Sequence, residues 1–117
     1  MLQSTGMPEM RIEQNETLCT VHMPNEMTIY NAEALRNNVL SALENPQDLH
    51  IDLNEVNEID SAGVQLLIAM AKQCKTQNKT LTLINSSDAT SDILKLFGMK
   101  DYFEPQDFDN KGDNNES

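Results

Sequence analysis

The stretch from Ile51 to Leu67, IDLNEVNEIDSAGVQLL, is built to pass from a strand into a helix. Apolar alternation through Leu53 gives way to an acidic loop, and Asp60-Ser61-Ala62-Gly63 then opens an apolar helical run. The pattern predicts an α/β unit with one serine hydroxyl at a helix start. The first backbone N–H groups of a helix have no partner within it and carry the positive end of its dipole. A phosphate is well received at such a place. On Ser61 it would add close to two negative charges beside Asp60 and Glu58, changing the surface that a partner meets. The arrangement suits a switch better than a catalyst.

The flanking sequence extends this unit in both directions. Met10–Gln14 and Thr17–Met23 read as two short strands joined at Asn15-Glu16, an opening hairpin with Ile12, Leu18 and Val21 among its apolar positions. After a break at Pro24-Asn25-Glu26, the residues Ala32, Leu35, Val39, Ala42 and Leu43 recur at helical spacing. Thr28 or Asn31 is placed to cap that helix, and Asn45-Pro46 to end it. A strand over Leu49–Leu53 follows, with Val56 and Ile59 anchoring the loop after it. The helix from Ala62 to about Gln77 is apolar around most of its first turns, as burial between a sheet and other helices requires. A polar turn, a strand at Thr80–Ile84, a loop and cap at Asn85–Asp88 and a helix at Ala89–Phe97 complete the order, with Gly98 as C-terminal cap. Met99, Tyr102 and Phe103 are expected to pack back. The order predicts one α/β domain over residues 10–103, with a mixed sheet of about four strands and helices chiefly on one face. Residues 1–9 are expected to be a flexible N-terminus. The segment from Glu104 to Ser117 carries five acids against one base and one large apolar residue, and is expected to be a disordered acidic tail.

Charge narrows the partners. The chain has a net charge of -11 and no cluster of basic residues, which argues against nucleic acid and anionic lipid surfaces. No apolar run approaches the roughly 18 residues that span a bilayer, and no secretory leader pattern precedes the domain, so the chain reads as cytoplasmic without direct membrane insertion. Protein partners are the better expectation. Cys19 and Cys74 lack CxxC spacing and indicate neither a disulfide framework nor a zinc site. No cofactor is indicated: a single Gly63 does not make a nucleotide-binding loop.

Several residues admit a plain structural role beside a functional one. Ser61 is a good helix cap, its hydroxyl placed to take the N–H of Gly63 or Val64 for about 1 kcal/mol. Asp60 fits the dipole at the helix start, or else orients Ser61. Gly63 lies two residues inside a helix, where glycine is about 1 kcal/mol worse than alanine, so something should offset that: close approach by a neighbouring backbone or a partner, or tight packing on the strand before it. The loop Asn85-Ser86-Ser87 would share an edge with Ser61 if the strands at Leu49–Leu53 and Thr80–Ile84 are parallel neighbours. His22 and His50 read as rim histidines with no acid at catalytic spacing. Glu55, Glu58 and Asp60 read as a solvated acidic loop rather than a carboxylate pair. Ser61 has no G-x-S-x-G elbow. The chain is read as a non-enzyme.

The segment xDLxxVxxIDSAGxxLL, followed by a helix, a polar turn ending in lysine, LTLINSS and a terminal helix closed by LFGM, resembles the STAS domain of sulfate transporters and anti-sigma factor antagonists. The resemblance covers about Met10 to Phe103. It implies that Ser61 is the position phosphorylated by a kinase-type anti-sigma factor with a histidine-kinase-like ATPase fold, and that the unphosphorylated form binds that factor and frees the sigma factor. It also implies a partner face made of Asn25, Glu26 and Thr28 on one rim, and Glu58, Asp60, Ser61, Ala62, Gly63 and Gln65 at the loop and helix start. Asn25-Glu26-Met27-Thr28 replaces the Gly-Glu-Leu-Asp-like segment of many antagonists. MTIYNAEAL and Gln65 are closer to small stand-alone STAS proteins found beside chemotaxis genes, and a further relative, a subunit of a phospholipid-transport ABC complex, usually has threonine at the position of Ser61.

Overall fold

The computed structural model describes residues 10–43 and 48–103. The expected flexible N-terminus, the helix stop at Asn45-Pro46 and the acidic tail lie outside the described residues. The hairpin is formed by β1 (Arg11–Gln14) and β2 (Leu18–His22), antiparallel, with Ile12 opposite Val21. Asn15 sets its turn: the side-chain oxygen accepts the N–H groups of Thr17 and Leu18, both at 2.9 Å, the local bond by which asparagine favours turns. The chain then forms a two-residue strand β3 (Glu26–Met27), helix α1 (Ala32–Leu43), strand β4 (Asp48–Asp52), a second two-residue strand β5 (Glu58–Ile59), helix α2 (Ser61–Thr76), strand β6 (Leu81–Ile84) and helix α3 (Asp88–Leu96). A short 3-10 turn over Lys100–Tyr102 follows.

The main sheet has the strand order β1-β2-β4-β6, and it is mixed: β4 runs parallel to both β2 and β6. Alternation along the strands sorts the side chains by face. Cys19, Val21, Leu49, Ile51, Leu81 and Leu83 point into the core, where Val64, Leu67 and Met70 of α2, Leu35 and Val39 of α1, and Leu94 of α3 meet them. Thr20, His22, His50 and Asp52 point the other way and are half-buried. The helices therefore cover one face, as the apolar spacing predicts.

The expected α1 cap takes a different form. Asn31 turns its amide oxygen back to the Thr28 N–H at 2.9 Å and its amide nitrogen to the Glu26 carbonyl at 2.7 Å, tying the approach to the helix. The last helix stops as expected. Gly98 takes φ +68, and the Met99 N–H reaches the Leu94 carbonyl at 2.8 Å, closing α3 with a left-handed residue that costs glycine nothing. Phe103 packs back into the core, while Tyr102 stays at the rim, edge-on to it.

Candidate functional site

Two segments about thirty residues apart meet in a small second sheet. β3 pairs parallel with β5, Glu26 beside Glu58 and Met27 beside Ile59. Backbone bonds extend the union at both ends: the Asn25 carbonyl accepts from Asn57 and Glu58 at 3.0 and 3.1 Å, and the Met27 carbonyl accepts from Asp60 at 3.3 Å. Strands of two residues leave no periodicity for a sequence to display, which is why these positions read as a break and a loop. Their pairing nevertheless brings Asn25, Glu26 and Thr28 onto the same rim as Glu58, Asp60 and Ser61.

The helix start is capped by Asp60 and not by Ser61. Asp60 has extended backbone, and its Oδ1 accepts the N–H groups of Ala62 at 2.9 Å and Gly63 at 3.3 Å. Ser61 is thereby the first residue inside the helix, exposed, with its hydroxyl outside the capping bonds. The preference for serine at caps is real, but aspartate one position earlier supplies the same acceptor with a full charge. The other oxygen of Asp60 is also engaged: Oδ2 accepts the Ile29 N–H at 3.1 Å. One carboxylate thus ties the turn before α1 to the start of α2.

Gly63 is buried against this seam. A Cβ added there would collide with the Met27 carbonyl oxygen and stand 2.7 Å from Ile59 Cγ1. The close approach that the sequence demands is made by the molecule's own backbone. Ala62 and Gln65 face outward instead. With Ala32, Arg36, Leu66 and Ala69 they line an open groove of about 400 Å³ between α1 and α2.

The loop Asn85–Ser87 leaves β6 at the same edge as the loop after β4, since the two strands are parallel, and α3 packs against β5. Ser87 is the cap of α3, its Oγ accepting the Thr90 N–H at 3.2 Å. The Ser86 hydroxyl is enclosed without a hydrogen-bond partner.

Matching the chain against known families and proteins gives one consistent result. The family described as "Mlab, STAS domain" matches residues 10–105. The chain belongs to the STAS domain family. A curated relative, the anti-sigma-B factor antagonist of Bacillus subtilis, is 31% identical to this STAS chain over 77% of it and 83% of the relative. Among solved structures, an anti-sigma factor antagonist from Mycobacterium paratuberculosis covers 87% of each chain with a TM-score of 0.74 at 20% identity. The Bacillus cell fate determinant SpoIIAA in its phosphorylated form covers 81% of this chain and 88% of its own at a TM-score of 0.63 and 14% identity. These last two likenesses concern the fold alone.

Two features of this STAS domain escape a reading of the sequence. His22 does have acids beside it: Nδ1 lies 2.9 Å from Asp52 Oδ2 on β4, and Nε2 lies 3.0 Å from Glu13 Oε1 on β1. His22 is half-buried at the sheet's open face, and its acids come from sheet order and not from sequence spacing, because β2 lies between the two strands that supply them. Among the described residues no three His, Cys, Asp or Glu side chains converge as metal ligands. The second feature is the adjacent pair Ile29 and Tyr30, 71% and 90% exposed next to Asp60. Their only sequence signal is two large apolar residues in a segment otherwise rich in turn formers.

Proposed function

We propose that this STAS domain is an anti-sigma factor antagonist, a regulatory binding module and not an enzyme, switched by phosphorylation of Ser61. The observation that carries the proposal is the Ser61 hydroxyl itself: it is exposed at the first position of α2, while Asp60 performs the capping that serine would otherwise do. A kinase can then modify it without unmaking the helix. The 31% identity to an antagonist of anti-sigma-B factor supports the partner class, an anti-sigma factor; that this factor is also the serine kinase and has an ATPase fold is part of the proposal. In this reading the protein acts in the cytoplasm. Its face comprises Asn25, Glu26, Glu58, Asp60, Ser61, Ala62 and Gln65, with Thr28 and Gly63, expected on that face from the sequence, buried beneath it and shaping it from within.

The mechanism is electrostatic. A phosphoserine brings about -1.5 to -2 charge at neutral pH to a rim that already holds Glu26, Glu58 and Asp60. Where Ser61 itself is buried against the partner, the phosphate would have to shed its bound water and would repel any acid or carbonyl oxygen opposite it, and that local cost opposes binding. The test is titration of the purified cognate anti-sigma factor with the unmodified protein, with phosphoserine genetically placed at 61, and with Ser61→Ala. Binding of the unmodified and alanine forms, lost in the phosphorylated one, is the expected result. Equal binding by all three would sink the switch.

A second reading follows the resemblance to the STAS subunit of a phospholipid-transport ABC complex. It makes the domain a constitutive adaptor, which contacts a transport ATPase through the same helix start and carries no phosphate. Mass spectrometry of protein from the native host separates the two: a condition-dependent phosphate on Ser61 supports the switch, and its absence under every growth condition supports the adaptor.

A further inference from the structure

Large apolar side chains exposed singly are ordinary, but Ile29 and Tyr30 are neighbours, are 71% and 90% exposed, and sit on a turn whose backbone N–H groups are hydrogen-bonded. Ile29 N–H is held by Asp60 Oδ2 at 3.1 Å and Tyr30 N–H by Thr28 Oγ1 at 3.2 Å. Thr28 is itself buried; its hydroxyl donates to Glu26 and its N–H to Asn31. Every backbone donor from Thr28 to Ala32 therefore has an acceptor nearby. The turn presents these two side chains, and among the described residues little covers them.

We propose that Ile29 and Tyr30 are the apolar anchor by which this domain engages its protein partner, seated in an apolar pocket whose rim carries lysine or arginine. The inference rests on the protein-partner reading above and adds to it the chemistry of the contact. Three observations support it. The pair adjoins Asp60 at the start of α2 on one side, and two residues after Tyr30 the chain reaches Ala32 at the lip of the α1–α2 groove, which Ala62 next to Ser61 also lines. Among the described residues, Glu26, Glu58 and Asp60 stand on the β3–β5 rim beside the anchor, and Glu33 lines the groove with the base Arg36. That imbalance selects a basic surround, and it opposes a second copy of this chain, which would bring acid to acid. Finally, a tyrosine has few torsions to freeze, and a turn already fixed loses little entropy on binding, so a small apolar contact yields a large share of affinity.

The test places a photo-crosslinking amino acid, p-benzoylphenylalanine, at position 30 and separately at position 65 of the full chain in its native host, each with Ser61 and with Ser61→Glu. The anchor is supported if position 30 crosslinks an anti-sigma factor with the ATPase fold and Ser61→Glu removes the product. Affinity for that factor should then fall at least 10-fold with Tyr30→Ala and change less than 2-fold with Tyr102→Ala. Crosslinks from position 65 and none from position 30 would overturn the anchor and leave the partner reading standing. Crosslinks from position 30 to a second copy overturn the stated chemistry. Absence of products from both positions overturns the partner reading, and the anchor with it.

Discussion

The carbonyl oxygen of Met27 occupies the space where a side chain at Gly63 would begin. The seam between β3 and the first turn of α2 closes only because residue 63 has no Cβ. Backbone cannot yield as a flexible side chain does, so Gly63→Ala should destabilise by about 2–3 kcal/mol, despite alanine's advantage of about 1 kcal/mol in a helix. Urea denaturation reads the difference. A variant as stable as the parent would mean that the seam opens without cost.

Position 61 should be indifferent for folding. Ser61→Ala and Ser61→Asp are each expected within about 0.5 kcal/mol of the parent, because the cap belongs to the preceding residue. If alanine alone lost about 1 kcal/mol in thermal unfolding, the hydroxyl would be shown to cap after all.

Asp60 has two tasks that chemistry can separate. Asp60→Ala removes both acceptors and should lose about 1 kcal/mol or more. Asp60→Asn keeps one acceptor oxygen, enough for the helix or for the Ile29 N–H but not for both. Its stability should fall less, while hydrogen exchange at the Ile29 amide quickens. Unchanged exchange in the asparagine variant would show that the turn does not depend on that bond.

The acids flanking His22 are unequal. The Asp52 side chain is 13% exposed and that of Glu13 65%, so solvent screens the second pair far more than the first. Double-mutant cycles should give a coupling near 1 kcal/mol for His22 with Asp52 and under about 0.5 kcal/mol for His22 with Glu13. Equal couplings would contradict the burial argument.

Burial pushes the thiols of Cys19 and Cys74 above their ordinary value, although the Lys79 ammonium works against it at both, and Asp48 adds to the rise at Cys74. An acid with a raised folded value keeps its proton longer in the native chain than in the unfolded one. Its contribution is complete below the unfolded thiol value of about 8.5 and is lost as pH climbs from there through the folded value. Stability should therefore decline above about pH 8.5, with a shallower slope in Cys19→Ala and Cys74→Ala. At pH 8 neither native thiol should react with iodoacetamide on the timescale of the denatured chain.

The frame of this domain could be read from the sequence wherever a period had room to repeat. Ala62 to Gln77 shows a helix because sixteen residues carry the same apolar rule, and Leu49 to Leu53 shows a strand because alternation survives five. The site was legible in part. Ser61 and Asp60 stand out as helix-start residues, but which of them caps depends on a backbone angle that both types tolerate. β3 and β5 were invisible because two residues establish no period. The acids of His22 come from positions nine and thirty residues away, and only strand order places them. Ile29 and Tyr30 carry no periodic pattern, and only the structure shows that among the described residues little covers them.

The pairing of β3 with β5 fastens the chain at the neck of a loop that contains α1 and β4. The fastener is only two residue pairs long, and the proposed partner face lies across it. A partner that grips both strands would act as a clasp on that loop, and the reduced opening would be felt along α1, including residues it never touches. Occupancy of the face could then be followed from within the protein, as slowed hydrogen exchange around the buried turn at Leu35 and Val39.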